Sequence, residues 1–331
     1  MKTFRMGILV MAALLASVFA LEGMSQAADY PKKPVQIIVG FPPGGPTDVT
    51  ARALAKAAEP FFPQPFTIVN KPGGGSVLAT DEVVRAAPDG YTLGALDISA
   101  ISVSPQLVKN LSYKGPDDII PIIHYLTQQI VFVIRSDSPF KTMKEVIEYA
   151  KANPGKLRIG HAGIGTTTHI HLASLKILGF PVTDVPFAGA APTVTALLGG
   201  HVDGLILNVL PTLPHVKSGK FRYIGLFADE RYKELPELMD VSTLKELGYN
   251  VLTEGSDYFI SAPKGTPQEI VDMLYNALLK AEKTDFYQKF CRDNIVFLTY
   301  KGSEDIKKQL NESYKFYKDF LPKIGLVPAG K

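Results

Sequence analysis

Between Val35 and Ala58 the chain passes through a short apolar run, a loop dense in proline and glycine (Phe41-Pro42-Pro43-Gly44-Gly45-Pro46) and a helical pattern that begins at Thr47. The same order recurs: Phe66 to Val69 reads as a strand, Pro72 to Gly75 as a loop, Ser76 to Ala86 as a helix, and Tyr91 to Leu96 as a strand after the Pro88-Asp89-Gly90 turn. Alternation of this kind predicts an α/β fold, with an open, mostly parallel sheet flanked by helices. The apolar segment Ile122 to Ile134 reads as a crossing, after which the series starts again. Thr142 and Glu145 predict a capping box for a helix to Ala152, stopped by Asn153-Pro154-Gly155. Strands at Leu157–Gly160, Val182–Val185, Leu205–Leu207 and Tyr223–Phe227 alternate with helices at Thr166–Leu178, Thr193–Leu198 and up to about Ser218. A strand around Tyr258 to Ser261, a helix start with Thr266 as cap ahead of Pro267 and Glu269, and a helix from Ser303 to about Leu321 return to the first unit. The expected organisation is bilobed, with residues 28–128 and 250–331 in lobe 1 and 129–249 in lobe 2, and ligand in the cleft between them.

Lys2 and Arg5 precede an uncharged apolar run from Met6 to Leu21, and Ser25-Gln26-Ala27 supplies small residues for cleavage. Residues 1–27 therefore read as a signal peptide, with the mature chain starting at Ala28. The run is short for a membrane span, which needs roughly 20 apolar residues. Cys291 is the only cysteine, which excludes an internal disulfide and a lipid anchor at the cleavage point. Stability must come from the core, which is ample at this length. Removing Lys2, Arg5 and Glu22 takes the net charge from +3 to +2, and the remaining basic residues are scattered, so no nucleic-acid partner is expected. A soluble periplasmic monomer is the expectation.

Two loops have the composition of an anion cradle. One is Gly44-Gly45-Pro46-Thr47-Asp48 and the other Gly163-Ile164-Gly165-Thr166-Thr167-Thr168-His169. Each follows a predicted strand and opens a helix, where glycines admit a ligand to the backbone and the first helical turn presents unpaired N–H groups. Thr47, Thr166, Thr167 and Thr168 add hydroxyls. Neither loop holds Lys or Arg, which suits a carboxylate that must be released. A Gly-rich turn is also common as plain structure, so the case rests on there being one such loop in each lobe. There is no Walker sequence and no G-x-G-x-x-G fingerprint, so no nucleotide cofactor is expected.

Asp48 reads chiefly as a partner for the helix dipole, with ligand contact through water or an amino group as the alternative. His169 and His171 stand two apart, off a shared helix face, and the six histidines lack ligand spacing, so no metal is expected. Asp203, just before a predicted strand, reads as a turn residue or a lobe-interface group. With no G-x-S-x-G elbow, no H-E-x-x-H and no cysteine–base pair, catalysis is not expected.

Tyr30-Pro31, Pro34, Gly40 to Gly45, Thr47-Asp48 and Ala51-Arg52 together resemble the opening of the tripartite tricarboxylate transporter receptors, the Bug family. Asn70-Lys71-Pro72-Gly73-Gly74-Gly75, Ala87 to Leu93, Pro154-Gly155-Lys156-Leu157, Val185-Pro186-Phe187, Gly189-Ala190-Ala191-Pro192, Leu197 to Gly200 and Asp203 continue the match in order over the mature chain. The resemblance implies a Venus-flytrap periplasmic binding protein that delivers a carboxylate to the membrane subunits of such a transporter. It carries ligand contact to Gly44–Asp48 and Gly165–His169, with Gly189 and Asp203 as further candidates. Asp97-Ile98-Ser99-Ala100 replaces the family's small Gly/Thr/Ser run, so no contact is carried over to it. Ala188 stands where relatives often have a larger polar residue. A sensor presenting ligand to a membrane kinase and a periplasmic hydrolase are the alternatives.

Overall fold

The computed structural model describes residues 30–327; the signal-peptide reading and the start at Ala28 lie outside them. Two five-stranded sheets form the molecule. The first contains β1 (Val35–Val39), β2 (Phe66–Asn70), β3 (Thr92–Asp97), β4 (Ile119–Gln128) and β10 (Ser256–Pro263) in the order β2-β1-β3-β10-β4. The second contains β5 (Ile130–Arg135), β6 (Arg158–His161), β7 (Thr183–Pro186), β8 (Gly204–Asn208) and β9 (Phe221–Leu226) in the order β7-β6-β8-β5-β9.

In each sheet one strand runs against the rest: β10 is antiparallel to β3 and β4, and β5 to β8 and β9. The reason is the crossing. β4 points at the other lobe, and only Gln129 separates it from β5, so β5 enters its sheet from the cleft and runs away from it. β10 returns the same way. The cleft therefore faces the C-terminal ends of four strands in each sheet and the N-terminal end of the fifth, the edge where α/β sheets bind ligands.

Both faces of each sheet are covered. Val35, Ile37 and Val39 of β1 pack on Ala51 and Leu54 of the helix Pro46–Ala58, while Ile38 points to Ala79 and Val83 of the helix Val77–Arg85. Along β5, Val131 and Val133 join one core, and Ile130, Phe132 and Ile134 the other. Alternate residues of a strand face opposite sides, so burial on both produces continuous apolar runs such as Ile130 to Ile134.

Two capping readings need correction. Thr142 does accept from Glu145 N at 3.2 Å, but the Glu145 carboxylate takes the N–H of Lys141, not that of the cap itself. Thr266 donates its hydroxyl to Pro263 O at 2.9 Å instead of capping, and the helix Gln268–Glu282 begins one residue later with Pro267 as its N-cap. The helix Asp285–Asp293 was not expected. It buries only Tyr287 and Cys291, four apart, and Thr284 caps it by accepting from Tyr287 N.

Candidate functional site

The Pro46–Ala58 helix starts at the cleft end of β1, with Pro46 in its first turn, where a missing N–H costs nothing. Beneath it Asp48 is buried and acts as a three-way brace. Its carboxylate accepts from Gly44 N, Arg52 Nε and Asn70 Nδ2, each at 2.9 Å. Burial opposes the charge, but these donors outweigh it and hold the carboxyl below its usual range. Gly45, Pro46 and Thr47 line the cleft cavity, whereas Gly44 and Asp48 stand behind them and fix their shape. Asp48→Ala is expected to cost about 2 kcal/mol, since it strands Gly44 N–H and two side-chain donors. Because the folded pKa is depressed, the contribution is present above the ordinary carboxylate range and is lost as pH falls through the folded value. Urea denaturation at pH 7 and pH 3 checks both statements.

In the second lobe Thr166 caps the helix Thr167–Ile177 by accepting from His169 N. Its own hydroxyl donates to Gly163 O at 2.6 Å, and Thr168 Oγ1 lies 3.0 Å from it while accepting from Ala162 N at 3.1 Å. Two of the three expected hydroxyl donors are thus consumed in shaping the loop, and Thr167 alone retains a hydroxyl with no protein partner among the described residues. Thr166, Thr167 and Thr168 all line the cavity. The first-turn amides of Thr47 and Asp48, and of Thr167 and Thr168, have no protein acceptor among the described residues.

Gly165 and His169 sit one layer back, joined by Gly165 N–H to His169 Nδ1 at 3.1 Å. His161 and His169 stack with ring centroids 4.7 Å apart, and with Asp184 they bring potential ligand atoms within 4.8 Å of one another, a cluster that spacing along the chain does not reveal. The amide on His169 Nδ1 places the ring proton on Nε2, and stacked rings aim their lone pairs along parallel planes, not at one ion. Burial and the neighbouring ring push His161 down to about 4. The pair is a neutral brace under the loop.

The lobes meet at glycines. A Cβ on Gly189 would lie 2.8 Å from Pro42 Cδ across the cleft, and one on Gly75 would lie 2.9 Å from Ile164 O. Gly189 itself does not line the cavity, but Ala190, next to it, does. Asp203 is placed elsewhere: it pairs with Arg158 at 3.0 Å at the far, N-terminal ends of β6 and β8. The strand residues Gly204 to Leu207 separate it from Asn208, which does line the cavity.

Residues that sequence reading did not select complete the wall. Asp97 ends β3 with Ser99 just beyond it, Asn208 ends β8, and Ser256 and Tyr258 open β10, with Asn208 Nδ2 donating to Ser256 Oγ at 3.0 Å. All lie at the cleft edge of their strands. Among the cavity's described lining residues there is no Lys or Arg.

Two mixed sheets joined by two crossings, with facing helix N-termini over a small cavity, define a bilobed periplasmic binding protein. The chain belongs to the tripartite tricarboxylate transporter family receptors (TctC), whose family model matches residues 50–326. It is 34% identical to a UPF0065 protein encoded in the gbd 5′ region of Cupriavidus necator, covering 98% of this chain and 97% of that one. BugT of Bordetella pertussis is 33% identical over 75% of this chain and 76% of its own. Among solved structures, the periplasmic binding protein BugD is 30% identical with a TM-score of 0.85, covering 90% of this chain and 100% of that one. MatC of Rhodopseudomonas palustris with bound malate is 27% identical with a TM-score of 0.82, covering 88% and 100%. The family and these neighbours are binding proteins, not enzymes.

Proposed function

We propose that the chain is exported by residues 1–27 and works as a periplasmic monomer, with residues 28–128 and 250–331 as one lobe and 129–249 as the other. It captures a small carboxylate between the lobes and hands it to the membrane subunits of a tripartite tricarboxylate transporter. One observation carries this reading: residues whose first-turn amides have no protein acceptor among the described residues, Thr47 in one lobe and Thr167 and Thr168 in the other, line a single cavity. Helix N-termini favour anions, and a site built from amides without Lys or Arg can hold a carboxylate and still let it go. Two opposed termini favour an acid with a carboxylate at each end. The malate found in MatC is of that class. No helix among the described residues is long and apolar enough to cross a membrane.

The test is thermal unfolding of residues 28–331, refolded to strip carried ligand, against aliphatic, aromatic and amino carboxylates. A matched dicarboxylate at a hundredfold excess over its Kd is expected to add about 2.7 kcal/mol and raise the midpoint. Equal shifts from monocarboxylates of the same length would remove the two-ended reading, and no shift from any acid would remove the receptor.

A further inference from the structure

Asp97 is the one acid among the described residues lining the cavity, and only 3% of its surface is exposed. Its two oxygens differ. Oδ1 accepts the hydroxyl of Ser99 and, at 3.0 Å, the N–H of Ala100. Oδ2 is buried with no hydrogen-bond partner among the described residues. A buried acceptor left unmade is costly, and native structures rarely tolerate one without a use for it. The use is constrained by the rest of the wall. No Lys or Arg among the described residues lines the cavity, so a ligand carboxylate and the Asp97 carboxylate would share one small space with no described protein cation between them.

We propose that the ligand brings that cation itself: it is an amino-carboxylate, and Asp97 Oδ2 is the group that receives its protonated amine. The proposal rests on the receptor reading above and narrows it to zwitterionic acids. With Oδ1 held by Ser99 and Ala100, the side chain cannot swing away, so Oδ2 is a fixed acceptor at the end of β3. Burial lifts the Asp97 carboxyl above its ordinary range, and an ammonium at hydrogen-bond distance counters that by favouring the charged form. Thr47 and Thr167 keep their part, since the ligand's carboxylates still face the helix N-termini.

Calorimetric titration of the refolded chain with matched pairs tests this, using succinate against aspartate and glutarate against glutamate. The aminated member is expected to bind at least about tenfold more tightly, the scale of one hydrogen bond to a charged group. In Asp97→Asn the amide oxygen still accepts from Ala100 N–H, so the short helix keeps its cap, while the charge on the other atom is gone. The preference should then vanish or reverse. Equal affinities in the unmodified chain would overturn the proposal without any variant. So would a wild-type preference that Asp97→Asn leaves intact, or tighter binding of the plain diacid, which would mark Asp97 as a protonated donor. If no member of either pair binds while another carboxylate does, Asp97 does not read an amine of this class. If no carboxylate binds, the receptor reading itself has failed.

Discussion

Gly45→Leu is expected to lower affinity for the carboxylate by at least about a hundredfold while leaving the unliganded chain folded. Gly45 is the N-cap of the Pro46–Ala58 helix, with φ −81° and ψ 169°, a conformation open to any residue. A Cβ there would lie 3.8 Å from both Ala190 Cβ of the opposite lobe and Pro42 O, so the first carbon already reaches contact and leucine must place three more beyond it. The added side chain takes up the space in which ligand and closing lobe must meet, and only a small fraction of molecules remains able to close. Nothing else in the first lobe is disturbed, so stability without ligand should change by less than about 0.5 kcal/mol. Calorimetry and urea denaturation on the same preparation separate the two effects. Unchanged affinity would place the ligand outside this cavity.

Glu282→Met is expected to stabilise the chain by about 4 kcal/mol at pH 8 and to have little effect at pH 4. Glu282 ends the helix Gln268–Glu282, is fully buried, and neither of its carboxylate oxygens has a hydrogen-bond partner among the described residues. Burial dominates, with only a small opposing pull from Lys283, and pushes the carboxyl from 4.5 up to about 8. The negative end of the helix dipole works in the same direction. The folded state thus binds the proton more tightly than the unfolded chain. Stability from this group is intact below pH 4.5 and is lost as pH rises to about 8. A shift of that size corresponds to roughly 4 to 5 kcal/mol once the group is ionised. Methionine keeps the length of the side chain and removes the charge. Urea denaturation from pH 4 to pH 8 should show a falling stability in the wild type and a flatter profile in the variant; parallel profiles would mean that Glu282 finds a partner in solution.

The strands and the two loops that open the helices were legible because local chemistry specifies them. β1 is an apolar run closed by proline and glycine, and Gly163 to Thr168 is a turn followed by an N-cap. The crossing at Ile122 to Ile134 was legible as an apolar stretch, although not that it makes two strands with opposite senses in their sheets. What lines the cavity was only half visible. Asp97, Asn208, Ser256 and Tyr258 come from three strands far apart in the chain, and they converge only because β3 and β8 end at the cleft while the reversed β10 begins there. A polar residue closing an apolar strand, as Asn208 follows Leu205 to Leu207, is a local signal that could have found Asn208, whereas Ser256 and Tyr258 open their strand and carry none. Asp203 stands at the wrong end of the same strand, and five residues of strand put it across the sheet from the cleft. The role of Asp48 in fixing Gly44, and the use of the Thr166 and Thr168 hydroxyls within their own loop, depend on side-chain geometry that spacing does not encode.

The most direct measurement is a diffraction structure of the refolded chain crystallised with the acid that gives the largest thermal shift. Carboxylate oxygens at about 2.9 Å from the amides of Thr47 and Thr167, one at each end of the molecule, are the expected result. Density for the acid outside the cavity between Gly45 and Ala190, or inside it with neither helix N-terminus in contact, would contradict the assignment of this cleft as a carboxylate receptor site.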